Sequence, residues 1–351
     1  MDDNAEIRGF FDEQTNTISY LVWDPASRQA AVIDPVLDYD PASGTVDTRS
    51  AQRVLDAAEK QGLSIAHVLE THAHADHLTA APFFKAKTGA KVGIGAHIRD
   101  VQKVFRPMFC ADDLKIDGGD FDLLLSDGDR VPLGELAIEV IETPGHTAAD
   151  VSYRVGDAVF VGDTLFMPDY GTARTDFPGG DARRLYQSIR KLLDLPPETR
   201  LFLCHDYKAP GRDEFRWETT VEEQRRNVHL ANGVTEDEFV RMRETRDATL
   251  STPKLLLPSI QVNIRAGRLP SAEETGVSSD DPGTDEGGFE AKLRALPEKL
   301  RRSTDLCTEE SDSREIHANL PFWYARLGAF KESACRGGGN FRIEPAWMCR
   351  L

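Results

Sequence analysis

Histidine and cysteine are both scarce in this 351-residue chain, at nine and five residues. The cysteines, Cys110, Cys204, Cys307, Cys335 and Cys349, are an odd, scattered set with no CxxC pair. That excludes a disulfide framework and fits reduced thiols. Long apolar runs are also missing; stretches such as "AVFVG" and "LLLPSI" are far too short to cross a bilayer. Basic residues are outnumbered, 42 Lys and Arg against 59 Asp and Glu, for a net charge of −17. A nucleic-acid groove or an anionic membrane surface is therefore not the expected partner. The opening "MDDNAEIRGF" is acidic and has no apolar h-region, so a cytoplasmic location is expected.

What is present is ordinary for a globular protein: 40% hydrophobic and 29% charged residues, enough chain for a sizeable core. "IRGFFD", "TISYLVWD" and "QAAVIDP" read as successive antiparallel strands. Residues 49–60 read as a helix with Val54, Leu55 and Ala58 on one face, stopped by Gly62. "SIAHVLET" (64–71) reads as a buried strand, with helix after Leu78 and strand at "KVGIG". "LAIEVIET", "DVSYRV" and "DAVFVGD" follow as strands. Asp181 caps a helix with the stripe Leu185, Ile189, Leu192 and Leu193. "RLFLC" is a further strand ending at His205, and the chain from Trp217 to Leu257 reads as helical. "SSDDPGTDEGG" (278–288) has linker composition. The expected division is a catalytic domain over 1–277 and a tail over 278–351.

Against the scarcity of histidine, "ETHAHADHLTAA" (70–81) crowds His72, His74, Asp76 and His77 into six positions. Imidazole and carboxylate are the common ligands of first-row metals. Three more candidates end later strands: His146 in "TPGHT", Asp163 in "VGDT" and His205 in "LCHDY". Any one of these alone is better read as a surface or hydrogen-bonded core residue, but the set is not. His67, His97, His229 and His317 keep that plain reading. Cys204 beside His205 is read as a small core residue, since neighbours on a strand face opposite ways.

T-H-x-H-x-D-H followed by P-G-H, G-D and a strand-terminal His resembles the metal signature of the metallo-β-lactamase superfamily. The resemblance covers residues 5–275 and implies an α/β fold, an αββα sandwich. Two glutathione-handling branches compete within it. In the glyoxalase II branch, His72, His74, His146 and Asp163 would hold one zinc-type ion. Asp76, His77, His205 and the shared Asp163 would hold a second, with a hydroxide between them for thioester hydrolysis. In the persulfide dioxygenase branch, His72, His146 and Asp163 would be the Fe(II) ligands. That set leaves positions open for O2 and a sulfur substrate, and His74, Asp76, His77 and His205 would support it. "ARTDF" (173–177) resembles the G-R-T-D-F segment of persulfide dioxygenases, with Ala173 in place of Gly. On that match Arg174 and Asp176 would contact glutathione and Tyr207 would close the pocket. An ion pair between Arg174 and Asp176 is the structural alternative. "HDYKAPGRDEFRWETTVEEQRRNVHL" and "LLLPSIQVNIRAGRLP" resemble bacterial members of the same branch. The resemblance therefore implies oxidation of glutathione persulfide by O2 to sulfite and glutathione, and leaves a homodimer open.

Overall fold

The computed structural model describes residues 4–268 except Cys110. The expected boundary at 277 and the tail, with His317 and three of the cysteines, lie outside them. The first half of the chain runs β1 (Glu6–Asp12), β2 (Thr17–Trp23), β3 (Gln29–Ile33), β4 (Val36–Asp40), β5 (Thr45–Asp47) and α1 (Arg49–Lys60). It continues through β6 (Ser64–Leu69), β7 (Leu78–Thr79), α2 (Ala81–Thr88), β8 (Lys91–Gly95), α3 (Ile98–Met108) and β9 (Leu123–Leu125). The second half runs β10 (Arg130–Leu133), β11 (Leu136–Glu142), β12 (Val151–Val155), β13 (Ala158–Phe160), α4 (Ala182–Leu193) and β14 (Arg200–Phe202). It ends with β15 (Glu218–Thr220), α5 (Val221–Gln224), α6 (Glu236–Asp247) and α7 (Leu256–Asn263).

Two six-stranded sheets result, in the orders β1-β2-β3-β6-β8-β9 and β10-β11-β12-β13-β14-β15, beside a small sheet β5-β4-β7. Strand alternation divides the core among layers. Tyr20, Val22, Ala31 and Ile33 pack between the sheets against Val140, Tyr153 and Phe160. Leu21, Ala30, Val32 and Val68 point the other way, onto α1, α2 and α7 through Val54, Phe84 and Ile260. On the far side Val159, Val161 and Leu201 pack under α4 and α6 through Leu185, Ile189 and Phe239. The fold is thus the αββα sandwich of the metallo-β-lactamase type. Each buried large side chain stabilises it by about 1.5–3 kcal/mol before entropy is counted.

Local rules explain several elements. Val54, Leu55 and Ala58 of α1 are buried as their spacing predicts, and Gly62 ends it at a φ of +64°, where a side chain is rarely tolerated. Asp181 caps α4, accepting from the backbone N–H groups of Arg183 and Arg184, an arrangement worth ~1 kcal/mol. Two expectations need correction. The stretch from Trp217 opens with a strand, Glu218–Thr220, which closes the second sheet against β14. The helix expected after Leu78 begins at Ala81, because Leu78 and Thr79 pair with β4. Both strands are too short to show a period, and only a tertiary partner makes them strands.

Topology places the loops. β3 pairs β6 in parallel, as β13 does β14, so the carboxyl ends within each pair lie side by side. Ties across the sheets fasten that edge: Ile18 N–H donates to Cys204 O at 2.7 Å and Val151 N–H to Thr71 O at 2.9 Å. Tyr153 Oη donates to Glu70 O at 2.8 Å.

Candidate metal centre

All seven candidate ligands meet at this edge. His72, His74, Asp76 and His77 follow β6, Asp163 follows β13 and His205 follows β14; His146 sits between β11 and β12. Asp163 is the joint: its Oδ2 lies 3.5 Å from His146 Nε2 and 4.0 Å from His72 Nε2, while its Oδ1 lies 3.3 Å from His205 Nε2. Asp76 Oδ2 is 3.3 Å from both His205 Nε2 and His77 Nδ1. The ligand atoms of His72, His146 and Asp163 form one group within 4.8 Å of one another, and those of His74, Asp76 and His77 form another.

The imidazoles are held from behind. Thr71 Oγ1 is 3.0 Å from His72 Nδ1, and His146 Nδ1 donates to Arg174 O at 2.8 Å. Such contacts fix a ring's tautomer and aim its other nitrogen. His74 Nε2 donates to Asp34 Oδ1 at 2.9 Å and lies 3.5 Å from Glu70 Oε2. Its ring lies between those of His72 and His77, with centroids 4.0 and 4.2 Å away. Thr17 Oγ1 reaches His205 Nδ1 at 3.3 Å and His77 Nδ1 at 3.4 Å.

Charge follows burial and neighbours. Burial, then His74 and His146, hold the His72 imidazole well below its ordinary pKa, so it is neutral and able to ligate. For His74 burial acts in the same direction, but Asp34 and Glu70 outweigh it and raise the pKa well above the usual value. Burial would raise Asp76; His205 and His77 instead hold it well below the carboxylate range. Asp150 accepts from Thr147, and burial pushes it up to about 6.

Among the described residues eleven buried side-chain atoms have no hydrogen-bond partner, and five of them belong to the candidate ligands: His72 Nε2, His74 Nδ1, His77 Nε2, His205 Nε2 and Asp163 Oδ1. A buried polar atom left unpaired costs about 1–3 kcal/mol. Five of them on neighbouring ligand residues fit a site built around a cation. The donor set, imidazole with carboxylate, suits iron or zinc equally well.

The remaining expectations fall as follows. Tyr207 stacks on His205 at 5.5 Å between centroids, with Phe166 edge-on at 5.8 Å. Arg174 places its fork on Asp176, with bonds of 2.6 and 2.7 Å, and a third donor on Ser251 O at 2.7 Å. The ion pair with Asp176, the structural alternative, is present. Both residues line a cavity of about 580 Å³ with Phe177, Val240 and Leu256, and Phe177 stands edge-on to His146 at 5.0 Å. Cys204 is buried as expected, but its Sγ is 3.7 Å from Asp34 Oδ2; it belongs to the shell around the site rather than a remote core. Among the plain histidines, His97 pairs with Asp100 and His229 accepts from Thr172 N–H, away from the ligands.

Sequence reading missed Thr17, Asp34, Glu70 and Thr71. Asp34 had a findable signal: it follows the apolar strand "AAVI" much as Asp163 follows "AVFVG". Glu70 and Thr71 open the run "ETHAHADHLTAA" beside His72, while Thr17 is a single polar residue with nothing local to mark it.

The fold and the ligand order define a class of protein. A family model described as the metallo-beta-lactamase superfamily matches residues 14–205, and the chain belongs to that superfamily. Within it the chain is 54% identical over 282 residues to a probable metallo-hydrolase of Burkholderia pseudomallei, covering 77% of this chain and 96% of that protein. It is 52% identical to a beta-lactamase hydrolase-like protein of Agrobacterium fabrum, spanning 77% of this chain and 62% of that longer one. Human mitochondrial persulfide dioxygenase ETHE1 is 30% identical over 264 residues, 74% of this chain and 88% of its own length. The crystal structure of ETHE1 from Myxococcus xanthus superposes with a TM-score of 0.61 at 33% identity, covering 75% of this chain and all of that one (100%). The two ETHE1 likenesses support the persulfide dioxygenase branch, while the two more similar relatives carry hydrolase names. No helix among the described residues is long and apolar enough to cross a membrane.

Proposed function

We propose that the chain is a mononuclear Fe(II) persulfide dioxygenase that oxidises glutathione persulfide. The observation that carries this reading is the group formed by His72, His146 and Asp163, with ligand atoms within 4.8 Å and His74 outside it. Two imidazoles and one carboxylate are the ligand set of iron oxygenases that keep coordination positions open. Iron held there supplies the electron chemistry between O2 and sulfur. The chain supplies position: Thr71 and Arg174 O aim the two imidazoles, and Asp163 spans to His205. The cavity lined by Arg174, Asp176 and Phe177, about 580 Å³, is within the ~300–1,000 Å³ range of small-molecule sites; no candidate metal ligand lines it, and Phe177 links it to His146. A glutathione carboxylate would share or take over the Arg174 fork from Asp176, as planar bidentate recognition favours. In the net reaction glutathione persulfide, O2 and water give glutathione, sulfite and two protons. The S–S bond breaks, the terminal sulfur loses four electrons to O2, and the thiol keeps one proton.

A second reading, a two-metal thioester hydrolase of the glyoxalase II kind, draws on Asp76, His77 and His205. The Nε2 atoms of both histidines lack partners, and a highly similar relative bears a metallo-hydrolase name. The two separate in one experiment on protein purified without oxygen. Metal content is measured, then O2 uptake with glutathione persulfide and thioester loss with S-lactoylglutathione. About one iron per chain with O2 uptake is expected. Two zinc ions, thioester turnover and no O2 uptake would overturn the proposal.

A further inference from the structure

We infer that Asn263, at the end of α7, is a positioning residue for the metal loop 72–79. Its carboxamide is buried and fully used. Nδ2 donates to His74 O and to His77 O, both at 2.8 Å, and Oδ1 accepts from Thr79 N–H at 2.9 Å. An Asn side chain has two N–H donors and a carbonyl, and here each meets a loop group. The orientation is set by chemistry: turned over, its oxygen would face two carbonyl oxygens. The three partners span Asp76, so one side chain fixes the backbone on both sides of that ligand.

The support beneath Asn263 is itself anchored. The carbonyl of Ile264 accepts from Gln102 Nε2 at 2.9 Å. Buried Arg265 grips Asp113 at 2.7 Å and Gln261 O at 2.7 Å. The next turn lies so near that a Cβ on Gly267 would sit 2.4 Å from Pro82 Cδ in α2 and 3.3 Å from Thr79 Cγ2 in the loop. α7 and this turn therefore act as a fixed block against which the loop is held. Side chains from β6 through the loop can then keep their spacing without an ion to gather them. Groups that orient metal ligands from outside typically change affinity by about 10–100-fold when removed.

The inference depends on the metal centre but not on which reaction it runs. Apo protein is titrated with Co(II), followed by the visible ligand-field bands, beside thermal melting of the apo form. Asn263→Asp keeps size and acceptor but turns an oxygen towards the two carbonyls. Asn263→Ser keeps a single donor. Ile260→Ala removes buried bulk from α7 while leaving the Asn263 amide and its three bonds in place, and serves as the stability control. Both Asn263 variants are expected to bind Co(II) about 10–100-fold more weakly, with altered bands. Ile260→Ala should bind within about threefold of the parent, well inside that range, whatever it loses in melting temperature. Should Asn263→Asp fail to fold, the Ser variant carries the comparison. Unchanged affinity in the Asn263 variants, or an equal loss in Ile260→Ala, would overturn the assignment.

Discussion

The two halves of the metal centre are built differently. In the half formed by His72, His146 and Asp163, each imidazole has a backing partner of its own, Thr71 Oγ1 or Arg174 O. In the half formed by Asp76, His77 and His205, both rings reach the one hydroxyl of Thr17, His205 Nδ1 also meets Asn16 O at 3.2 Å, and Asp76 lies between the rings. A separately held pair of rings keeps two lone pairs aimed at a point regardless of what its neighbours do. In the second half Asp76 lies 3.3 Å from both rings, which offsets its charge, while the Nε2 atoms of His77 and His205 keep no hydrogen-bond partner. On the proposed reading the first half is the metal position and the second its polar support.

Asp163 gives the largest test, since one of its oxygens faces each half. Asp163→Asn should lower bound metal by more than the ~10–100-fold typical of an outer partner, as read by elemental analysis after dialysis. Retention of parental metal would break the comparison at its centre. His205→Ala comes next: the expected result is one ion per chain and kcat/KM for O2 uptake down about 10–100-fold. A fall from two ions to one would make the halves equal partners instead. Thr17→Val should matter less, nearer tenfold in kcat/KM, with metal content unchanged; loss of metal would show that the shared hydroxyl organises a true ligand set.

The smallest effect concerns a carboxylate remote from both halves. Burial alone would raise Asp24, but hydrogen bonds from Ser27, Glu135 and Ala26 outweigh it and hold it down at about 2. With its folded pKa below the unfolded value, Asp24 contributes stability above about pH 4 and loses it as pH falls towards 2. Allowing for solvent screening, that is ~1–2 kcal/mol. Asp24→Asn should lower the melting temperature at pH 7, and the gap from the parent should narrow on acidification. Metal binding should not change; if it does, the halves are coupled to the sheet junction.

Legibility in the sequence varied with distance along the chain. α1 and the capped α4 were readable because period, cap and stop lie within a dozen residues. The ligands were readable because four sit in one run and the others each close an apolar strand. β7 and β15 were not, being two and three residues long. Thr17 and Asn263 escaped for a different reason. Their partners at the site lie 59 to 189 residues away, and a lone polar residue carries no trace of a distant partner.

The sequence by itself determined which side chains can bind a metal, since donor chemistry belongs to the residue and their order along strands sets the fold. Only the tertiary structure decided how they are aimed. Parallel pairing brought β3 beside β6 and β13 beside β14, joining Asp34, His72, Asp163 and His205 at one edge. It also put the Arg174 fork on Asp176 and the Asn263 amide against the metal loop. Those choices depend on which buried donors and acceptors meet once water is excluded, and that is fixed only when the layers close.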